Sequence, residues 1–418
     1  MEYRPELLAP AQDWNSLEIV KDLTDAIYFG VQNYNMRRKA KNFDQKDLKR
    51  IVDFCQSQDP PLRTYLTTNI LIYDAELQEL ENLISIAKES GIDAIIAHDL
   101  AAIKIAKKKN MEFHISTQAN VSNIETAKFF EEFGAERIIL ARELSLKQIK
   151  SIKHLLTKTK IECFIHGSMC TSISGRCYFS ATISNSEQDS ANRGNCSQPC
   201  RREWRVIDDE SHEFIYDGQM FLNAKDLCMI EYIPELIDAK IDAFKIEGRM
   251  KDPIYVKTVT ECYKEALDAY FNNTYNKEKV IYWLQRLKRV FNRGFHTGFY
   301  FHKPTLEDIE LNKRGNVSPY KKHYIGKVLS YDEYSKSANV LLESLEIPLM
   351  VGNEIIIEGS STYMIETIKK MIYNGEKIKS IARKRHTGPV KINLRLNKKV
   401  KPNDKIYIIK IINSIGLQ

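Results

Sequence analysis

The sequence predicts an α/β protein: a TIM-type (β/α)8 barrel with a cysteine-rich insertion, followed by a small C-terminal antiparallel β-barrel. Three observations predict it. Eight short apolar runs alternate with helical patterns up to about residue 250, the order and span of eight right-handed βαβ units. Four of the eight cysteines fall between Cys170 and Cys200, directly after the seventh run. From about residue 320 the pattern changes to short β segments at roughly ten-residue intervals. A doubly wound open sheet is the competing arrangement, but no GxGxxG turn accompanies it.

Taken in order, the predicted strands are Glu6–Ala11, Asp25–Gly30, Thr64–Ile70, Asp93–Asp99, Glu112–Asn120, Arg137–Glu143, Glu162–Gly167 and Asp242–Arg249. Each is a short apolar run, as a strand buried on both faces requires. Helical periodicity fills the gaps at Asp13–Leu23, Gln45–Gln58, Asp74–Ser90, Leu100–Lys108, Ile124–Phe133 and Ser145–Leu156. Two further helices are expected at Asp252–Asn272, where Pro253 suits a first turn, and at Lys277–Asn292. The insertion runs from about 168 to 218, too long for an ordinary connection and of the length functional loops reach. Strands HYIGKVLSYD, SANVLLES, NEIIIEG, STYMIETI, VKINLRL and DKIYIIKII build the last part. The expected domains are therefore 1–312 and 313–418.

The 418 residues are 43% hydrophobic and 28% charged, an ordinary globular balance that excludes a mostly disordered or fibrous chain. No apolar run nears the roughly 20 residues of a membrane span, and the N-terminus lacks a secretory pattern. A cytoplasmic, reducing location is expected. Net charge is +7. From Lys313 onward there are 20 Lys+Arg against 9 Asp+Glu; the rest of the chain holds 42 against 46. The whole basic excess thus sits in the C-terminal part, which suggests a polyanionic partner such as nucleic acid, or else a solvated basic face.

Active sites of such barrels lie at the C-terminal ends of the strands. Polar residues close nearly every predicted strand: Asn69, His98, Asp99, Gln118, Asn120, Arg142, Glu143, His166, Lys245, Glu247 and Arg249. Any one of them could serve only as a cap. The spacing Cys170-x6-Cys177-x18-Cys196-x3-Cys200 is the second signal. In a reducing compartment, four clustered thiols point to metal binding rather than disulfides. Spacing alone leaves an iron–sulfur cluster, zinc and unrelated buried thiols open. Cys55, Cys163, Cys228 and Cys262 read as core residues. Motifs of other chemistries are missing: no HExxH, no GxSxG and no Walker A loop.

The stretches Ile161–Ser180, Gly194–Trp204, LNAKDL (Leu222–Leu227) and FKIEGRMK (Phe244–Lys251) resemble the U-thirty-two peptidase family, the collagenase-like proteins. ELLAPA, DAIYFG, NMRRKAKNF, STQAN and LARELS extend the resemblance over nearly the whole chain. The family name implies proteolysis, yet the residues supply no protease mechanism. Members similar to this chain act in oxygen-independent hydroxylation, of wobble uridine in tRNA to 5-hydroxyuridine or of a ribosomal-RNA cytidine. The resemblance thus implies a 4Fe-4S cluster on Cys170, Cys177, Cys196 and Cys200, and a link to prephenate as oxygen donor or co-substrate. The chain's length fits the tRNA type. Arg249 and Lys245, helped by Arg142, Gln118 and Asn69, are expected to bind a small anionic metabolite, since Arg suits bidentate carboxylate recognition. Glu247 pairing with one of these cations is the alternative. Arg383, Lys384, Arg385, Lys398 and Lys399 are expected on RNA phosphates, with Tyr373 and His386 near enough in sequence to stack on bases. No catalytic residue is assigned, and a zinc-structured RNA-binding module is the non-enzymatic alternative.

Overall fold

Strands buried on both faces need apolar residues at every position, and the runs supply them. In the computed structural model, which describes residues 3–204, 206–207, 209–214, 220–344, 347–359, 362–382 and 388–411, all eight predicted strands are present. They are β1 (Glu6–Pro10), β2 (Ala26–Phe29), β3 (Arg63–Thr67), β4 (Ala94–Ala97), β5 (Glu112–Ile115), β6 (Arg137–Ile139), β7 (Lys160–Ser168) and β8 (Ala243–Ile246). All are parallel neighbours in chain order, and β8 pairs with both β1 and β7, so the sheet closes on itself. At the closure Ala243 sits opposite Glu6 on one side and Glu162 on the other.

Helices between the strands start on caps that the sequence provides. Asp13, Asp99, Asn123 and Ser145 each accept a backbone N–H of the first turn, which satisfies donors that a helix start leaves unpaired. The helices Pro253–Phe271 and Lys277–Arg289 follow β8 as expected, the first with proline in its first turn. The last helix before β8, Ile233–Asp238, is six residues long. It is absent from the sequence reading because so short a turn leaves no periodicity to detect. A three-residue strand, Asp226–Cys228, also went unforeseen; it runs antiparallel to the end of β7.

The barrel interior is not purely apolar. Glu162 on β7 accepts from Lys245 Nζ of β8 at 2.6 Å and from Arg137 Nη1 of β6 at 3.0 Å. Arg137 also donates to Glu6 of β1 at 2.7 Å. Two acids and two bases thus form a charge-balanced chain through the barrel, which a buried ionic network needs to persist.

The chain divides into two compact units, Met1–Val317 and Ser318–Gln418. The second is an antiparallel sheet of eight strands: β9 (Tyr320–Asp332), β10 (Ser337–Leu342), β11 (Glu354–Glu358), β12 (Tyr363–Thr367), β13 (Met371–Tyr373), β14 (Glu376–Ile378), β15 (Val390–Arg395) and β16 (Lys405–Ile411). Its order is β12-β11-β16-β9-β10-β15-β13-β14. Ile325, Val340, Ile355, Leu394 and Ile406 belong to its own buried core. Among the described residues no ladder joins the two edge strands of this sheet. No helix among the described residues is long and apolar enough to cross a membrane.

Candidate functional site

Strand ends converge on one cavity inside the C-terminal mouth of the barrel. Asn69, Gln118, Arg142, Lys245 and Arg249, the five residues expected to bind a metabolite, all line it, with Tyr28, Arg37, Thr67 and Glu247. Arg249 is 2% exposed. Its Nη1 donates to Thr67 Oγ1 at 2.9 Å and its Nη2 to Asn35 Oδ1 at 2.9 Å and to Asn42 Oδ1. Its Nε is buried without a partner. Every acceptor is neutral. Burial therefore pulls the Arg249 guanidinium down to about 10, with Arg37 lowering it further.

Arg142 repeats the pattern. Its guanidinium lies 3.9 Å from the centre of the Phe164 ring, Nη1 donates to the Ser168 carbonyl at 2.9 Å, and Nε is unsatisfied. Desolvation lowers its pKa too. Lys245 is engaged by Glu162, so of the three expected anion anchors only Arg142 and Arg249 lack a carboxylate among the described residues. Glu247 does pair with a cation, but with Arg37 (3.2 Å), a partner outside the expected set. Arg37 lies in the NMRRKAKNF segment, whose run of cations was the one signal that could have named it. Asn69 donates to Gln118 Oε1 at 3.1 Å and accepts from the Met36 amide at 3.2 Å, which fixes both amides at the cavity wall. Two guanidiniums that no carboxylate among the described residues pairs thus line one recess, and such groups can take a carboxylate.

Other strand-end residues have structural tasks. Asp99 caps its helix and accepts from the Ile72 amide. His166 is buried beside Tyr263, and desolvation holds it down to about 3. Asn120 and Glu143 both accept from the Ser174 hydroxyl, at 2.9 Å, and so tie the cysteine segment to the barrel mouth. That segment is tied at three further points. Arg38 N donates to the Gly194 carbonyl at 3.2 Å, and Leu71 N to the Asn192 carbonyl at 3.1 Å. Arg193 forks onto the carboxylate of Glu76.

Cys177, Cys196 and Cys200 are half-buried and Cys170 is exposed; all are free thiols. Burial raises the Cys196 and Cys200 thiols, and the negative charge of Cys170 adds to both. Arg37 and Arg201 oppose the shift. Cys196 thus feels the charges of Cys170 and Cys177, and Cys200 those of Cys170 and Cys196. Among the described residues no three His, Cys, Asp or Glu side chains converge as ligands of one ion. In contrast, Cys55, Cys228 and Cys262 are buried and pushed up to about 12, as core thiols should be. Of the expected RNA contacts, Lys398 and Lys399 are exposed, and Lys399 pairs with Glu333. Arg383, Lys384, Arg385 and His386 lie outside the described residues.

Comparison with known proteins settles the family. The profile of peptidase family U32 matches residues 13–310. The chain belongs to that family. Curated U32 relatives carry different names. An uncharacterized protease of Methanocaldococcus jannaschii is 38% identical over 414 residues, 97% of this chain and 98% of its own length. A collagenase of Porphyromonas gingivalis is 37% identical over 416 residues, 96% and 97% of the two chains. The tRNA hydroxylation protein P1 of Bacillus subtilis is 33% identical over 377 residues, 87% of each. Among the described residues, no serine or cysteine lining the cavity is hydrogen-bonded to a histidine; Ser116 bonds to Gln118 instead.

Proposed function

We propose that this chain is an RNA-modifying enzyme that hydroxylates a pyrimidine without O2, its specific substrate being the wobble uridine of tRNA and its product 5-hydroxyuridine. The observation that carries the reading is Arg249, a buried guanidinium bonded only to neutral oxygens beside a second unpaired guanidinium, Arg142. A protein keeps such cations where an anion completes them. The anion proposed is a small carboxylate co-substrate, prephenate or a relative of it. A donor that gives up a hydroxyl and takes a hydrogen converts the base C–H to C–OH with atoms and electrons balanced, so no O2 is required.

Arg249 and Arg142 would hold the carboxylates, while Asn69 and Gln118 orient the rest of the molecule. Lys245 donates from Nζ to Glu162, whose charge opposes the lowering of its pKa by burial. A 4Fe-4S cluster on Cys170, Cys177, Cys196 and Cys200 would supply electron-transfer or Lewis-acid chemistry at the cavity edge. RNA would be held by exposed cations, Lys398 and Lys399 among them. Names of relatives support hydroxylation of RNA: besides the tRNA protein, a 23S rRNA 5-hydroxycytidine synthase of Escherichia coli is 38% identical over 268 residues, 64% of this chain and 40% of its own length. The collagenase relative supports a peptidase as the second reading.

The test is anaerobic purification followed by an absorption spectrum and iron, sulfide and zinc analysis. The expected protein is brown with about four irons, lost in Cys196→Ser and Cys200→Ser. A colourless protein with zinc or no metal, kept from oxygen throughout, contradicts the cluster.

A further inference from the structure

Two loops at the barrel mouth carry large, exposed side chains. Tyr73, in the loop after β3, is 51% exposed; Ile173 and Tyr178, on the cysteine segment, are 63% and 80% exposed. These loops are pinned. Asn192 accepts from the Leu71 amide through its carbonyl and from the Cys177 amide through its side chain, at 3.1 and 3.0 Å. The next residue, Arg193, lies over the Tyr73 ring at 5.1 Å while it grips Glu76. One dipeptide thus joins both loops, and it fixes the residue before Tyr178. Apolar rings held rigidly in water are the mark of a binding surface.

Position and charge say what binds. A Cβ built on Gly175 would lie 3.9 Å from Gln118 Nε2, and Gln118 lines the anion cavity, so the rim borders its opening. Arg176, on the cysteine segment, and Arg38, in the loop after β2 whose amide donates to Gly194 of that segment, are exposed and enter no ion pair among the described residues. Rings alternating with cations, above a cationic recess, match a polymer with stackable faces and a negative backbone. A purely apolar protein partner would have to bury Arg176 and Arg38 unpaired, which is costly.

We infer that Tyr178 and Tyr73 are a stacking platform for single-stranded RNA. They would take the bases next to the one entering the cavity, with Arg176 and Arg38 on the flanking phosphates. This rests on the RNA reading above and adds the side chains that hold a splayed-out strand.

The experiment uses the full chain, purified anaerobically, and an RNA hairpin with 2-aminopurine in its loop. Binding is followed by anisotropy and stacking by fluorescence quenching. Tyr178→Ala should weaken binding about tenfold and abolish quenching, Tyr178→Trp should preserve both, and Tyr73→Ala should act in the same direction. Both tyrosines are exposed, so unchanged thermal stability and iron content are expected. Wild-type protein that binds the hairpin, with Tyr178→Ala and Tyr73→Ala binding equally well, overturns the platform and leaves the RNA reading intact. Wild-type protein that binds no RNA overturns both. Unaltered RNA affinity together with slower cleavage of a collagen peptide by Tyr178→Ala assigns the rim to polypeptide instead.

Discussion

Arg249 trades stability for binding. Its charge is buried without a counter-charge, so replacing it removes a desolvation penalty as well as three hydrogen bonds. Arg249→Met should change unfolding free energy by no more than about 1 kcal/mol, read from denaturant melts. RNA hydroxylation should fall about a hundredfold or more, because the co-substrate loses its anchor. Glu162 behaves oppositely. Glu162→Gln leaves Lys245 and Arg137 under-compensated in the barrel interior and should cost about 3–5 kcal/mol. His166 gives a pH signature. Its folded pKa, about 3, lies below the ordinary histidine value of 6.5 because it is buried. The unfolded chain therefore binds more protons as pH falls from 6.5 toward 3, and stability drops in that window. His166→Gln should flatten that acid limb. At this scale the sequence was informative about residue type and less so about pairing. Asn69, Gln118, Arg142, Lys245 and Arg249 stand together as strand-end position implies. That Glu162 claims Lys245 and Arg37 claims Glu247 depends on which side chains face each other across the barrel, and no spacing along the chain encodes it.

The element that matters most is the cysteine segment after β7. It is built of one short helix, Phe179–Ser184, and four 3-10 turns, and is held by side chains: Ser174 to Glu143 and Asn120, Arg193 to Glu76, and Asn192 to Cys177. Arg193→Ala should loosen it without unfolding the barrel. The expected result is faster proteolysis within residues 169–204 and lower iron content, at a local cost of about 1–3 kcal/mol. Gly194 has φ +83°, and a Cβ there would collide with the Asn35 carbonyl. Gly194→Ala should be worse than Arg193→Ala by the same two measures. The eight barrel strands were legible because each is an apolar run between helices. Asp226–Cys228 and Ile233–Asp238 were not, since three or six residues carry no period. In the C-terminal unit alternation located the strands, but whether a sheet closes is decided by edge pairing, which alternation does not report.

For the whole molecule, charge and site have separate addresses. The first unit carries the cavity and the cysteines, while the surplus of basic residues lies from Lys313 onward. RNA affinity should therefore fall steeply with salt, whereas binding of a small carboxylate by the buried guanidiniums should be less sensitive. The central claim is that the unpaired guanidiniums serve hydroxylation of RNA. Its most direct test is mass spectrometry of tRNA nucleosides from cells lacking this chain, complemented with wild-type protein or Arg249→Ala. The account predicts that 5-hydroxyuridine and its derivatives disappear on deletion, return with the wild type and stay absent with Arg249→Ala, although that variant keeps its iron. Unchanged nucleosides on deletion, or full restoration by Arg249→Ala, would contradict it.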